Sequence, residues 1–243
     1  MKKILCVLSA GLLAAGAAQA ANITYADGTI INDAQTIGGE DRLLQNAAAT
    51  VTITNGGSLA ITTTTTTAGS LIGQAAEVAF IIDGGAFNLN SSANLILGNG
   101  TGGDGTIDLR DGTLSLTTTG DIALGRDAAT GVITIRGGTA ALDQPFFDTY
   151  FPADPGFGSI DFADKIGGGA SDGTLTIAGA DLAYYQGLYA GDDLTFNGDN
   201  SAAFNTVFSV TGSTLSVIPE PATLGMVAAF GGGILFIRRR FMI

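Results

Sequence analysis

The chain has 243 residues, a formal net charge of −12, no histidine and a single cysteine, Cys6. This composition excludes a histidine general base and a histidine zinc ligand. Cys6 is expected to be removed with the N-terminal segment, and the remaining chain then has no cysteine for a thiol nucleophile or a disulfide. The negative charge repels nucleic-acid phosphates, so no nucleic-acid partner is expected.

The first segment, residues 1–20, has the three parts of a secretory signal peptide. Two lysines give it a positive start, and an apolar stretch follows that ends near Ala18. Ala18 and Ala20 are the small residues of a cleavage site, so signal peptidase is expected to cut before Ala21. The alternative is an uncleaved membrane anchor.

Residues 21–143 are predicted to form the first part of the body, and much of this part is repetitive. One unit consists of an alternating apolar strand, a turn and a second alternating strand. The turns of its four copies contain Asn55, Asp83, Asp111 and Gly137, at steps of 28, 28 and 26 residues. A shorter motif falls between the copies and ends in Gly73, Gly98 and Gly125. Two motifs with one shared period indicate an array of stacked β units.

This pattern favours an all-β fold built as a parallel β-helix or β-solenoid. Like side chains would then stack in columns, with the strands of successive turns about 4.8 Å apart. The predicted central column contains Ile53, Ile81, Leu109 and Ile135. The alternative is a β-sandwich of hairpins, because the same turns can also join antiparallel strands.

The repeat units are also similar to the Gly- and Thr-rich repeats of autotransporter passenger domains. The similarity covers most of residues 50–143 and is one of general texture. It implies that the β-helix is right-handed, and it transfers no site residue.

Residues 144–217 are predicted to form a cap or second β region. The stretch 144–162 holds three prolines and six aromatic residues, which indicates a packed loop that closes the repeat stack. Short strands are expected to resume at 174–177, 194–196, 206–210 and 214–217. Three tyrosines of this region are expected to pack in the core or cap: Tyr184, Tyr185 and Tyr189. The alternative for the aromatic residues is a surface on which sugars stack.

The acidic residues give only weak candidates for chemistry. Residues 102–108 partly match a calcium-binding nonapeptide, but the motif occurs once and its aspartate is one position late. Asp108 with Asp111, and Asp192 with Asp193, are candidate carboxylate pairs, although Asp beside Gly is also common in turns. The basic residues that could assist them are expected to lie apart: Arg110, Arg126, Arg136 and Lys165. We therefore predict no catalytic residue, no cofactor and no metal ion.

The last segment, residues 218–243, has three parts in a fixed order. It begins with a stretch that cannot join a sheet: Pro219, Glu220 and Pro221. The uncharged residues 222–237 are then predicted to form a short transmembrane helix of about 24 Å, less than the usual membrane span. The segment ends with a cluster that is expected to stay in the cytoplasm: Arg238, Arg239 and Arg240.

This tail resembles the PEP-CTERM sorting signal of Gram-negative bacteria. In that family a membrane enzyme, an exosortase, reads the tail and is thought to cleave near the Pro-Glu-Pro. The resemblance implies an exosortase as a partner, export through the inner membrane and at least transient anchoring through the helix. It further implies delivery to the cell surface, the outer membrane or the extracellular matrix, where exopolysaccharide is a candidate partner. It covers residues 218–243 and says nothing about the body.

These features together predict a secreted, non-catalytic structural protein of the cell surface or matrix. The alternative is a carbohydrate-binding or adhesin module that presents threonines and aromatic residues to glycans. A third candidate is a carboxylate-dependent polysaccharide-degrading enzyme. Such an enzyme would need two acids facing each other in a groove, about 5 to 9 Å apart.

Overall fold

The computed structural model describes residues 21–63, 69–143, 145–147 and 157–218. In this part of the chain the structure is mostly β. The strands up to residue 124 are β1 (Asn22–Ile23), β2 (Thr29–Ile31), β3 (Ala34–Gly39), β4 (Arg42–Gln45), β5 (Ala49–Thr54), β6 (Ser58–Thr63), β7 (Ser70–Ile72), β8 (Val78–Ser91), β9 (Leu95–Leu97), β10 (Gly105–Thr118) and β11 (Ile122–Leu124). The later elements are β12 (Thr130–Ile135), β13 (Thr139–Leu142), β14 (Pro145–Phe147), β15 (Phe157–Phe162), β16 (Thr174–Ile177), α1 (Leu182–Ala190), β17 (Leu194–Phe196), α2 (Phe204–Val207), β18 (Phe208–Thr211) and β19 (Thr214–Val217).

The strands stack into three faces of a parallel β-solenoid. The first face runs β2, β5, β8, β10, β12, β15 and β17. The second runs β3, β6, β8, β10, β13 and β16, because the long strands β8 and β10 span two faces. The third runs β1, β4, β7, β9, β11 and β14. All of these pairings are parallel. This confirms the predicted solenoid and contradicts the sandwich of hairpins, which needs antiparallel pairs.

A column of large apolar side chains fills the interior behind the first face. In register from turn to turn it contains Ile31, Ile53, Ile82, Leu109, Ile135 and Phe162. Each of these residues is fully buried. Like side chains at each level bury one continuous core, so no turn depends on a core of its own.

The predicted place of Ile81 in this column is wrong. Ile81 pairs with Thr52 and Asp108 on the outer side of the strand, and it is Ile82 that enters the core. In β8 the column residue directly precedes Asp83, whereas Leu109 lies two positions before Asp111. Register shifts at this corner absorb the difference. Because side chains alternate between the two faces of a strand, a slip of one residue exchanges inside for outside.

The second predicted motif is confirmed on the third face. Ile72, Leu97 and Leu124 pair in register and are buried, and each is followed by a glycine. The φ angles of these glycines, Gly73, Gly98 and Gly125, are +76°, +75° and +69°. A Cβ atom on Gly98 would lie 2.1 Å from the Thr130 carbonyl oxygen. Glycine is therefore required at this corner both for its conformation and for the close approach of the next turn.

The C-terminal turns depart from the predicted packed loop over 144–162. Pro145 begins β14, which pairs with β11 at the edge of the third face, where a missing N–H is tolerated. Strand β15 continues the first face by pairing with β12. The stack therefore extends beyond residue 143 before it is closed.

Helix α1 was not predicted from the sequence. The Asp181 side chain caps its start by accepting a hydrogen bond from the Tyr184 N–H at 2.8 Å. Its buried residues are Tyr185, Leu188 and Tyr189, at the spacing of one helical face. That spacing was the available signal, but the helix is short and contains Gly187, which weakens helical propensity.

Aromatic side chains and an antiparallel hairpin cover the C-terminal layer of the core. Strands β18 and β19 pair antiparallel, and β19 pairs antiparallel with β16. Phe208 packs against three other rings at centroid distances of 5.3 to 5.7 Å: Phe162, Tyr189 and Phe204. The antiparallel hairpin ends the parallel stacking on the second face, so the next parallel turn cannot add there.

Both predicted terminal segments, residues 1–20 and 222–237, lie outside the described residues. Within the part of the chain that the structure does describe, neither helix is long and apolar enough to span a membrane.

Candidate functional site

The residues predicted above to serve cleavage and sorting fall outside the described part of the chain, with one exception. This holds for Ala18 and Ala20, and for the tail residues Pro219, Glu220, Pro221, Arg238, Arg239 and Arg240. Ala21 is described, and its backbone N–H donates to the Asp41 carboxylate at 2.9 Å. Candidate sites can therefore be described only in the solenoid body.

A groove of about 590 Å³ lies at the corner between the first and second faces. In the preceding turn this corner is the short segment 136–138 between β12 and β13, and it contains Gly137 and Gly138. Between β15 and β16 the chain inserts the longer segment 163–173 at the same corner. Insertions in a repeat array commonly create its binding face, and here the insertion contributes one wall of the groove.

Two arginines from successive turns share one carboxylate beside the groove. The Arg110 Nε and the Arg136 Nε each donate to a different oxygen of Asp108, both at 2.9 Å. The Asp108 side chain is only 18% exposed and therefore has little freedom to move. Its two hydrogen bonds hold both guanidinium groups in place. Arg136 also donates from Nη1 to the Asp164 carbonyl oxygen at 2.9 Å. One negative charge therefore faces two positive charges at this point.

The inserted segment adds a third basic residue. Lys165 forms an ion pair with Asp172, and the two residues lie on opposite sides of a run of three glycines. The φ angles of these glycines are +97°, +101° and +100°, and no atom lies near a Cβ built on any of them. The ends of the segment are anchored, because Ser171 Oγ donates to the Ile135 carbonyl and the Asp164 N–H donates to Asn197. The tip therefore projects from two fixed points.

The structure corrects the expectation that the basic residues lie apart. Arg110, Arg136 and Lys165 all line the groove, together with Asp83, Asp111 and Asp172. Arg126 does not line it and forms an ion pair with Asp127 at 3.3 Å. The missed signal was the spacing of 26 residues between Arg110 and Arg136, which is one turn of the repeat. Residues one turn apart stack as neighbours.

The other candidate carboxylates have local structural roles. The Asp104 carboxylate accepts a hydrogen bond from the Thr130 N–H at 2.8 Å and so ties one turn to the next. Asp111 accepts from the N–H of Gly112, and Asp192 accepts from the Asn200 side chain. In the described ranges no group of three or more acidic, histidine or cysteine side chains is arranged to hold a metal ion.

The tyrosines of the C-terminal region pack as predicted. Tyr185 is fully buried and Tyr189 is 5% exposed. The Tyr185 hydroxyl donates to the Ser213 carbonyl at 2.7 Å and accepts from the Ile177 N–H at 3.0 Å. Burial raises the pKa of Tyr185, although the hydrogen bond from Ile177 acts in the opposite direction. A phenol that stays neutral and hydrogen-bonded inside the protein is a packing element.

Among the aromatic side chains that the structure describes, Phe157 best matches the alternative of a sugar-stacking surface. It is 69% exposed and lies in a smaller groove with Thr130, Ser159, Asp192 and Asp193. An exposed ring beside carboxylates and hydroxyls can offer both stacking and hydrogen bonds to a sugar.

The comparisons with known proteins give no match. No family model, no curated protein and no solved structure matches the chain. The charged groove and the two terminal sequence segments are therefore the features that bear on function.

Proposed function

We propose that the chain is a non-catalytic structural protein that is exported and displayed at the cell surface, on the outer membrane or in the extracellular matrix. The observation that carries the proposal is the unbroken parallel stacking of the three faces from β1 to β17. A stack of this kind buries one continuous core through contacts between neighbouring turns, so it suits a secreted scaffold. By the usual rule for parallel crossover connections, we take its hand to be right-handed.

The route to the surface follows from the two ends of the sequence. Signal peptidase removes residues 1–20, and the helix over 222–237 then holds the chain in the inner membrane with its arginine cluster in the cytoplasm. An exosortase recognises the Pro-Glu-Pro stretch and hands the body on for display. Support for this route comes from the order and composition of the tail.

The arginine cluster gives the sharpest test of this route. We expect the combined change Arg238→Glu, Arg239→Glu and Arg240→Glu to abolish processing and surface display in a host that carries an exosortase. The matched control replaces the same three residues by lysine, which keeps the charge and should keep both. The readouts are the size of the protein on a gel and its accessibility to surface labelling. Normal processing and display of the glutamate variant would overturn the proposal.

A carbohydrate-binding or adhesive role is the second candidate, and the groove is what favours it. Its lining combines guanidinium, ammonium and carboxylate groups with the hydroxyls of Thr139 and Thr174. Such a set of donors and acceptors matches a ligand that is rich in hydroxyl groups. This role is compatible with a structural protein, because a matrix component has to contact the matrix.

A further inference from the structure

Positive charge is scarce on this protein, and it is concentrated in the groove. The chain carries 22 acidic and 10 basic residues. Between residues 21 and 217 the basic residues are Arg42, Arg110, Arg126, Arg136 and Lys165. Three of these five line the groove. The lining also carries Asp83, Asp111 and Asp172, so its formal charges balance. On a chain with a net charge of −12, a groove with balanced charges repels an anionic ligand less than the acidic surface around it does.

The ion pairs with Asp108 hold the guanidinium groups of Arg110 and Arg136 in place but leave some of their N–H donors without a partner among the described residues. In the described part of the chain, the hydrogen bonds of Arg110 involve only Nε, so both Nη groups are available to a ligand. Arg136 uses Nε and Nη1. Arg110 and Arg136 are 34% and 28% exposed, and they are held by an Asp108 that is 18% exposed. Such pre-positioning lowers the entropy that a charge-assisted hydrogen bond to a ligand would cost.

The arrangement also follows the axis of the solenoid. Asp83 pairs in register with Asp111, and the groove continues past Arg136 to the inserted segment that carries Lys165 and Asp172. Each step along the axis is about 4.8 Å. Charged and hydroxyl groups therefore recur along a line, as a linear polymer with a repeating unit requires.

We infer that this groove binds an acidic polysaccharide, one whose sugar units carry carboxylate groups. The carboxylate of a unit is held by Arg110 and Arg136. Asp83 and Asp111 accept hydrogen bonds from the neighbouring hydroxyls, and the Thr139 hydroxyl accepts or donates one. Lys165, at the base of the inserted segment, adds an ammonium group to the same groove. This inference rests on the proposed function as a matrix protein and adds to it the site and the ligand chemistry.

The mixture of charges makes the groove selective among anionic polymers. Double-stranded DNA carries one negative charge per about 1.7 Å, so it would bring phosphates against Asp83, Asp111 and Asp172 as well as against the basic residues. A polyuronate carries one charge per sugar and presents hydroxyls in between. An acidic peptide has the charge but lacks the hydroxyls that the groove carboxylates can bind.

The test is direct binding of oligogalacturonate to the full-length chain purified in a neutral detergent, measured by calorimetry at low salt. The matched ligand is the same oligosaccharide with its carboxylates methyl-esterified. We expect binding of the free acid and at least about tenfold weaker binding of the ester, because a charge-assisted hydrogen bond is lost. Binding of the acid should weaken as salt is added. Equal binding of acid and ester, or no binding of the acid, would overturn the inference.

The protein variants separate the groove from general charge effects. Arg110→Gln is expected to weaken oligogalacturonate binding about tenfold, and Lys165→Gln, on an exposed loop where folding is not at risk, should weaken it severalfold. Arg42→Gln is the matched control, because it removes one positive charge far along the chain, where Arg42 donates to Asn22. Thermal melts check that each variant is folded. Equal affinities for all three variants and the unaltered protein would contradict the inference.

Two further measurements test the class of ligand and separate this inference from the proposed function. Free galacturonate or poly-glutamate bound as tightly as the oligosaccharide would show a small-anion or peptide site instead. Surface display is measured separately in the exosortase-carrying host. Normal display without oligogalacturonate binding removes only the groove inference, whereas failure of display in the unaltered chain contradicts the proposed function.

Discussion

The middle turns of the solenoid and its C-terminal turns are built from the same three faces but behave differently. From β5 to β13 the turns repeat short corners that differ in length only at β8, and the core columns are aliphatic apart from Phe80 and Phe87. From β15 onward the chain adds the insertion 163–173, two helices and an antiparallel hairpin. Its core also contains four buried aromatic residues: Phe162, Tyr185, Tyr189 and Phe208. The middle turns are each covered by a neighbour on both sides, whereas the end has to cover itself.

This difference explains where the molecule can carry special features. An insertion in a middle turn would have to fit between the corners of the turns before and after it. At the end of the stack there is room, and the insertion there lies over the corner of the preceding turn and forms the charged groove. The irregular region therefore combines two tasks, closing the core and carrying the candidate site.

The largest effect is expected from breaking the core column of the middle turns. Ile82→Ala should lower the free energy of unfolding by about 2–5 kcal/mol, because Ile82 is fully buried between Ile53 and Leu109. Chemical denaturation of the purified protein measures this change.

The neighbouring residue is the matched control for that prediction. Ile81 has the same side chain but lies on the outer side of the strand, so Ile81→Ala should cost less than about 1 kcal/mol. If the two variants were equally destabilised, the register described for β8 would be incorrect.

A smaller effect is expected at the C-terminal end, where a buried hydroxyl joins three segments. Tyr185→Phe should cost about 1–3 kcal/mol, because the Ser213 carbonyl and the Ile177 N–H lose their partner inside the protein. Tyr184→Phe is the control. Tyr184 is half-buried, and its hydroxyl has no hydrogen bond in the part of the chain that the structure describes. Denaturation curves that show the same loss for both would refute the role given to the Tyr185 hydroxyl.

The smallest effect concerns the N-terminal end of the stack and depends on pH. Tyr25 packs against Phe80, and its hydroxyl donates to Gln35. Burial raises the pKa of Tyr25 from 10.0 to about 12. Between these values the unfolded chain releases the proton while the folded chain keeps it, so unfolding becomes more favourable as the pH rises. Stability is thus fully present below pH 10 and declines toward pH 12.

Tyr25→Phe should reduce this alkaline loss of stability, because the variant has one fewer buried phenol to ionise. The remaining slope belongs to the three other tyrosines with raised pKa values: Tyr184, Tyr185 and Tyr189. Unfolding midpoints at a series of pH values between 9 and 12 measure the change. An unaltered slope in the variant would show that Tyr25 ionises freely in the folded protein.

The repeat period and the strand character of the units were predictable from the sequence. Alternation of apolar residues and the recurrence of glycine corners are local properties, and the third-face motif that ends in Gly73, Gly98 and Gly125 was aligned correctly. The column was predicted one residue off at Ile81, because the corner of β8 differs in length from its neighbours and adjacent isoleucines give no local preference for the inner face.

The groove could be predicted only in part. Asp108 was considered only as a candidate carboxylate beside Asp111, and nothing in the sequence indicated that it pairs with both arginines. Lys165 and its partner Asp172 lie in a glycine-rich stretch with no repeat to align it. The spacing between Arg110 and Arg136 equals one turn and would have brought them together, once the solenoid was assumed.

By itself the sequence determined the period, the strands, the glycine corners and the candidate sorting segments, because each depends on residues close together in the chain. The tertiary structure decided which of two adjacent isoleucines enters the core, how the last layer is covered and which charges meet. These depend on contacts between residues that are one or more turns apart, where corner lengths and the inserted segment set the register. The charged groove exists only because three turns and one insertion place their side chains along the same corner.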